Sequence, residues 1–114
     1  MPDDNTTLTT AALHILVAIG PGERHGYSIM TEVEQLTNGV VRLAPGTLYT
    51  TIKRLLAAGL IEEIGERPDP HLDDQRRRYY RLTPAGLAIV ASEVRRLEAL
   101  VSRARPWALE GGDK

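Results

Sequence analysis

The chain has 114 residues, a length typical of a single domain, with 42% apolar and 25% charged residues and a formal net charge of −1. It contains no cysteine, which excludes disulfides and thiolate metal sites, and its three histidines are too widely separated for metal-ligand spacing. The N-terminus is acidic and polar rather than a secretory signal, and no apolar run reaches the roughly 20 residues of a membrane span. We therefore expect a cytoplasmic protein with no membrane partner, no metal and no cofactor.

Two short helices are predicted in the first third of the chain. The run from Thr10 to Ile19 is apolar nearly all round, which indicates a buried helix, and Gly-Pro-Gly follows it directly. A second helix is predicted from His25 to Thr37, because apolar residues recur at i, i+4 and i+7 (Ile29, Val33 and Leu36). It should end at Asn38-Gly39, with the glycine in the left-handed position, and His25 is expected to have a structural role.

The third predicted helix begins at Pro45, because proline suits the first position of a helix, and it is closed by Gly59. At 100° per residue, one narrow stripe of the helix is apolar: Leu48, Ile52, Leu55 and Leu56. The opposite face bears two cations and several hydroxyls but no acid: Thr47, Thr50, Thr51, Lys53 and Arg54, with Tyr49 at the boundary. Such cations and hydroxyls can bind DNA phosphates and base edges. Alternatively, Lys53 and Arg54 keep the helix solvated, and Tyr49 covers the edge of the apolar stripe.

A β-hairpin is predicted from Leu60 to Thr83, with a long acidic tip of sequence PDPHLDDQ between its strands. The returning strand reads RRRYYRLT, so the positive charge is concentrated there, while the acids lie in the first strand and the tip. Alternation places Tyr80 and Leu82 toward the core and Arg77, Tyr79 and Arg81 on the face expected to meet DNA. Arg76 and Arg78 fall on the Tyr80 side, but near the tip, where strand twist would allow them to reach phosphates.

A long last helix is predicted to start at Thr83-Pro84, as N-cap and first helical residue, and to run to about Arg105. Its apolar residues repeat at spacings of 3 and 4, which is typical of a helix-pairing seam: Leu87, Val90, Val94, Leu97 and Val101. We expect this seam, with Leu13 and Leu16 of the first helix, to form a homodimer interface. The alternative is that the seam packs against the first helix within one chain.

Three helices, a hairpin and a long helix predict a fold that is mainly α with a small β-hairpin, namely a winged helix-turn-helix with a C-terminal dimerisation helix. We assign residues 1–9 to a flexible N-terminus, 10–83 to the DNA-binding domain, 84–106 to the dimerisation helix and 107–114 to a flexible tail. The expected DNA contacts are Thr47, Tyr49, Thr50, Lys53, Arg54, Arg76, Arg77 and Arg78.

Three motifs resemble the PadR family of bacterial transcriptional regulators: HGYSI from His25, APGTLYTTIKRLLAAGLIE from Ala44 and RRRYYRLTPAG from Arg76. The resemblance spans most of the chain and implies a homodimeric winged-helix repressor of double-stranded DNA, of the shorter type with one C-terminal helix. Some members respond to phenolic or other hydrophobic molecules, so a small hydrophobic effector is a further expectation. Trp107 is its candidate contact, whereas the simpler interpretation is that Trp107 packs on a neighbouring helix or terminus.

Two departures from the family pattern affect the DNA-binding elements. Ala44 stands where the family usually has serine, and the loss of an N-cap oxygen costs about 1 kcal/mol at a helix start. The wing tip is also longer and more acidic than expected, which argues against its insertion into a minor groove. No enzyme motif is present, so we expect no catalysis; the alternative function is a winged-helix module that binds a protein partner.

Overall fold

A computed structural model describes residues 8–68 and 76–109, which contain four helices and a three-stranded antiparallel sheet. The helices are α1 (Thr10–Ile19), α2 (Gly26–Leu36), α3 (Pro45–Ala57) and α4 (Pro84–Ala108). The strands are β1 (Arg24–His25), β2 (Ile61–Pro68) and β3 (Arg76–Leu82). The predicted fold class is confirmed. No helix in the described ranges is long and apolar enough to cross a membrane.

The core lies where α1, α2 and α3 meet the base of β2 and β3. Its largest fully buried side chains are all aliphatic: Ile15, Leu16, Ile29, Val33 and Leu48. Tyr80 adds the one aromatic ring of the described core, and Leu82 packs beside it, as the strand alternation predicts. α3 therefore lies on a closely packed base to which α1 and α2 contribute, and the hairpin lies next to it.

Local capping explains where the helices begin and end. The Thr9 hydroxyl accepts from Ala12 N at the start of α1, and the His25 ring nitrogen accepts from Ser28 N at the start of α2. The structural role predicted for His25 is thus that of an N-cap. At the end of α2, Asn38 rather than glycine takes the first left-handed position, with φ 53°, and Gly39 follows at φ 81°. Asparagine tolerates this conformation better than other residues with a side chain.

The sheet has the order β1-β3-β2, so the predicted hairpin gains a third strand. The two residues of β1 pair with the tyrosines of β3, Arg24 with Tyr80 and His25 with Tyr79. Arg24 also donates from Nε to the carbonyl oxygen of Ala18 at 2.7 Å, which ties β1 to the end of α1. We refer to the β2–β3 hairpin as the wing; its tip at residues 69–75 lies outside the described residues.

The join between the wing and α4 requires a glycine. The hydroxyl of Thr83 caps α4 by accepting from Gly86 N, and it donates to the carbonyl oxygen of Gly59 at 2.6 Å. Gly86 is buried so closely that a β-carbon there would collide with the carbonyl oxygen of Leu60. The first turn of α4 is therefore held against the end of α3.

Candidate nucleic-acid interface

The exposed side of α3 carries the polar residues predicted for DNA contact. Leu48, Ile52 and Leu55 are buried and dock the helix on the core, which turns its other side to solvent. The five predicted contact residues of α3 are all exposed: Thr47, Tyr49, Thr50, Lys53 and Arg54. Within the described ranges, neither Lys53 nor Arg54 forms an ion pair with an acidic side chain. Both charges are therefore available to an anion.

Thr51 is not part of this polar side, contrary to the prediction. Only 8% of its surface is exposed. The residue lies three positions after Leu48 and four before Leu55, so helical periodicity places it within the buried stripe. A buried threonine hydroxyl can hydrogen-bond to a backbone carbonyl of its own helix, so a polar residue type alone does not indicate an exposed position.

Tyr49 has one side against the protein and one side in solvent. It is 51% exposed, yet its ring lies so close to Gly26 that a β-carbon at Gly26 would approach the phenol oxygen to 2.6 Å. Gly26 is the first residue of α2, so the tyrosine links the start of α2 to the exposed side of α3. Tyr49 can therefore cover the edge of the apolar stripe with one side of its ring and contact a ligand with the other.

The start of α3 has no side-chain cap. Ala44 occupies the N-cap position, and no side chain accepts from the first turn, in agreement with the sequence prediction. Pro45 lacks one N–H, but the remaining amides of the first turn keep their hydrogen-bonding capacity. The predicted glycine closure is also present, since Gly59 has φ 75° and its N–H donates to Leu56 O.

The wing has two faces with different partners. On one face Arg81 donates from Nε to Oε2 of Glu62 at 2.6 Å, and this hydrogen bond raises the pKa of Arg81. On the other face Nη1 of Arg78 lies 3.8 Å from Oε1 of Glu63. Each arginine of β3 with a described side chain therefore faces a glutamate of β2.

The face with Arg78, rather than the face with Arg81, adjoins α3. Burial raises the pKa of Tyr80, the charge of Glu63 raises it further, Arg78 lowers it and Tyr49 raises it. Tyr80 is buried in the core together with Leu48 of α3, and the register pairs Glu63 with Tyr80. Glu63 and Arg78 therefore lie on the side of the sheet that is turned toward α3. The alternation predicted Arg77, Tyr79 and Arg81 as the DNA side, and on that side Arg81 is paired with Glu62.

The remaining predicted wing residues are described by their backbone alone. Arg76 pairs with Pro68 and Arg77 with Arg67 across the two strands. A β-bulge between Glu63 and Gly65 shifts the register, and Gly65 adopts φ 127° there. Sequence reasoning missed the position of Glu63 beside Arg78, because no periodicity along β2 reveals which residue of β3 it will face.

The residues predicted for a dimer interface fall into three groups. Leu87, Val94 and Val101 are exposed on α4, whereas Leu13, Val90 and Leu97 are partly buried. Leu16 is fully buried in the core of its own chain and offers no surface to a partner. It lies three positions before the buried Ile19 and shares its stripe of α1, whereas the next residue, Val17, is turned about 100° away and is exposed.

Trp107 lies inside α4 instead of beyond it, since the helix continues past Pro106 to Ala108. Proline removes only one backbone donor, so a last turn can continue through it. The residue is 69% exposed, so little of it packs against the described part of its own chain. Elsewhere in the described ranges, no three His, Asp or Glu side chains gather in a way that would hold a metal ion.

Comparison with known proteins gives consistent matches. The model of the transcriptional regulator PadR-like family matches residues 15–92. The chain is 40% identical over 88 residues to transcriptional regulator Rv3488 of Mycobacterium tuberculosis, covering 77% of this chain and 76% of that protein.

Two solved structures have similar folds. A transcriptional regulator from Clostridium thermocellum has a TM-score of 0.65 at 22% identity, covering 87% of this chain and 92% of that chain. Bacillus subtilis PadR in complex with operator DNA has a TM-score of 0.66 at 19% identity, covering 75% of this chain and 47% of that chain.

Proposed function

Because the chain belongs to the PadR-like family of transcriptional regulators, we propose that it is a sequence-specific DNA-binding repressor that acts as a homodimer. The observation that carries this proposal is the exposed side of α3, which bears Lys53 and Arg54, hydroxyls and no acid. A helix with such a side can enter a major groove, where hydroxyls and cations reach phosphates and base edges. The fold is similar to that of a regulator solved with operator DNA.

In this proposal α3 is the recognition helix and the wing lies along the neighbouring backbone. Thr47, Tyr49 and Thr50 contact phosphates or base edges, and Lys53 and Arg54 supply the positive charge of the helix. Arg78 adds a phosphate contact on the wing face that adjoins α3, and the proposal also assigns Arg76 and Arg77 to DNA contact. The domain division follows, with residues 10–83 as the DNA-binding domain and 84–106 as the dimerisation helix.

Exposed apolar side chains on α4 support the homodimer. Leu87, Val94 and Val101 lie along one side of this helix, and Leu100 is 59% exposed in its C-terminal half. An open apolar groove lined by Leu13, Val17 and Leu36 provides further apolar surface on α1 and α2. Pairing of two chains would bury these surfaces, which otherwise remain in water. A two-fold dimer places two α3 helices in successive major grooves, so the operator is roughly palindromic.

Fluorescence anisotropy on the DNA upstream of the protein's own gene tests the proposal. We expect tight binding that weakens steeply as salt rises, because each neutralised phosphate releases counterions. A scrambled duplex should bind more weakly at every salt concentration. Binding that does not respond to salt would contradict the electrostatic role of α3. If promoter and scrambled duplexes both bind poorly even at low salt, the alternative of a winged-helix module for a protein partner gains instead.

A small hydrophobic effector is the second part of the proposal, and Trp107 is its candidate contact. The exposed indole lies near the end of α4, where an adjacent chain of a dimer would approach it. Because Trp107 is the only tryptophan, its fluorescence reports on this position alone. We expect quenching by planar phenols and release of the protein from DNA at the same concentrations. A flat titration, or quenching without release, would contradict an effector at this site.

A further inference from the structure

An acidic side chain with a described position, that of Glu63, lies on the wing face that adjoins α3. Oε1 of Glu63 is 3.8 Å from Nη1 of Arg78, and the side chains are 34% and 61% exposed, respectively. The strand register pairs Glu63 with Tyr80, and Arg78 lies two positions before Tyr80 in β3. Alternation therefore puts both charged groups on the Tyr80 side of the sheet. A solute that approaches this side meets the arginine and the glutamate together.

The charges of this pair act at the boundary between the wing and α3. The negative charge of Glu63 raises the pKa of Tyr80 and the positive charge of Arg78 lowers it, while Tyr49 of α3 also influences the same phenol. The adjacent glutamate behaves differently. Glu62 binds Arg81 on the opposite face, where Glu23 also acts on that arginine. Two neighbouring glutamates of β2 are thus directed to different sides of the wing.

We propose that Glu63 competes with DNA for the guanidinium of Arg78 and thereby lowers the affinity of this protein for DNA of any sequence. The inference rests on the proposed function, since it requires the Tyr80 side of the wing to face a phosphate. A phosphate that binds Arg78 replaces the Glu63 carboxylate, because both are anions that accept from the same donor. The exposed ion pair is weak, so the glutamate reduces binding without preventing it.

Phosphate contacts carry no sequence information, so the competition acts on every duplex alike. Glu63 thus sets the strength of the sequence-independent component of binding, while α3 sets the preference among sequences. The experiment can therefore use a duplex of scrambled sequence and does not depend on knowledge of the operator.

The test compares full-length variants by fluorescence anisotropy on a scrambled duplex. At about 50 mM salt, Glu63→Gln should bind about three- to tenfold more tightly than wild type, and the gain should shrink toward 300 mM as screening increases. The promoter duplex should show the same fold-gain. Glu63→Thr, a second neutral variant suited to a strand, should reproduce it. Thermal unfolding of each variant confirms that the compared proteins are folded.

Glu62→Gln is the matched control, because it removes the same charge one residue away on the opposite face. It should bind within about twofold of wild type, because the weak exposed pair that it breaks holds Arg81, which is not among the proposed DNA contacts. In an Arg78→Gln background, Glu63→Gln should add no more than about twofold, since the contested arginine is absent.

Three results would overturn the competition: no gain for Glu63→Gln, an equal gain for Glu62→Gln, or a gain that persists without Arg78. An equal gain for both glutamates would indicate an effect of net charge alone. If wild type binds no duplex at low salt, the proposed function fails together with this inference. Salt-dependent wild-type binding without a gain for Glu63→Gln overturns the competition alone.

Discussion

Adjacent residues of the wing act on opposite sides of the sheet, and this decides which charges lie beside α3. Glu62 binds Arg81, whereas Glu63 lies next to Arg78. Arg78 and Arg81, the arginines of β3 with described side chains, therefore do not share one surface. Lys53 and Arg54 of α3, in contrast, are exposed, and within the described residues neither of them pairs with an acidic side chain.

At the residue scale, Lys53 offers the sharpest test of α3 as the proposed recognition helix. Lys53→Gln should cost about 1–3 kcal/mol on the promoter duplex and less on a scrambled duplex, if the amine reaches a base edge. The comparison of the two duplexes by anisotropy measures this difference. Arg103→Gln is the control, because it removes one exposed charge on the far part of α4. An equal loss on both duplexes would assign Lys53 to a phosphate instead.

At the element scale, α3 has a glycine at its C-terminal end that favours termination and no side-chain cap at its N-terminal end. Gly59 closes its last turn in a left-handed conformation, whereas Ala44 provides no cap for the first turn. The helix remains in place because Leu48, Ile52 and Leu55 pack in the core. Tertiary packing therefore compensates for a weak local signal at this helix start.

Restoring the cap should stabilise the protein. Ala44→Ser places an oxygen where it can accept from the first turn of α3, and we expect a gain of about 1 kcal/mol in the free energy of unfolding. Thermal unfolding at fixed protein concentration should show a midpoint higher by about 4 °C. Ala44→Val, which lacks the oxygen, is the control and should give no gain. A serine variant no more stable than the valine variant would contradict a capping deficit.

At the scale of the whole molecule, α4 is longer than its own chain can cover. It has 25 residues and contacts α1 and β3, while most of its residues after Glu93 are exposed. The molecule accordingly extends 60 Å along its longest axis and only 23 Å along its shortest. An apolar stripe on an extended helix indicates a surface that needs a partner.

Disrupting this stripe should separate the proposed dimer. Val94→Glu combined with Val101→Glu should yield a particle near the 12.6 kDa of one chain in light scattering, where wild type gives about twice that mass. Loss of the second half-site should also weaken promoter binding, because two linked contacts bind more tightly than one. Ala99→Glu, on the opposite side of α4, should leave both mass and affinity unchanged. A wild-type mass of one chain would contradict the dimer.

Much of the fold could be predicted because its signals are local. The starts of α3 and α4 follow from Pro45 and Pro84, and the apolar periodicity of each helix predicts its buried side. The placement of Tyr80 and Leu82 toward the core was likewise predictable from alternation. In contrast, β1 has only two residues, which are too few to show the alternation that predicts a strand.

The sequence by itself determined the order of the four helices and the hairpin, the acid-free polar side of α3 and the apolar seam of α4. These properties depend on caps, turns and spacings between residues near each other in the chain. Only the tertiary structure decided that Leu16 and Thr51 are buried, that Trp107 is exposed, and that Glu63 lies beside Arg78. Those outcomes depend on packing and strand register between distant segments, which no local spacing specifies.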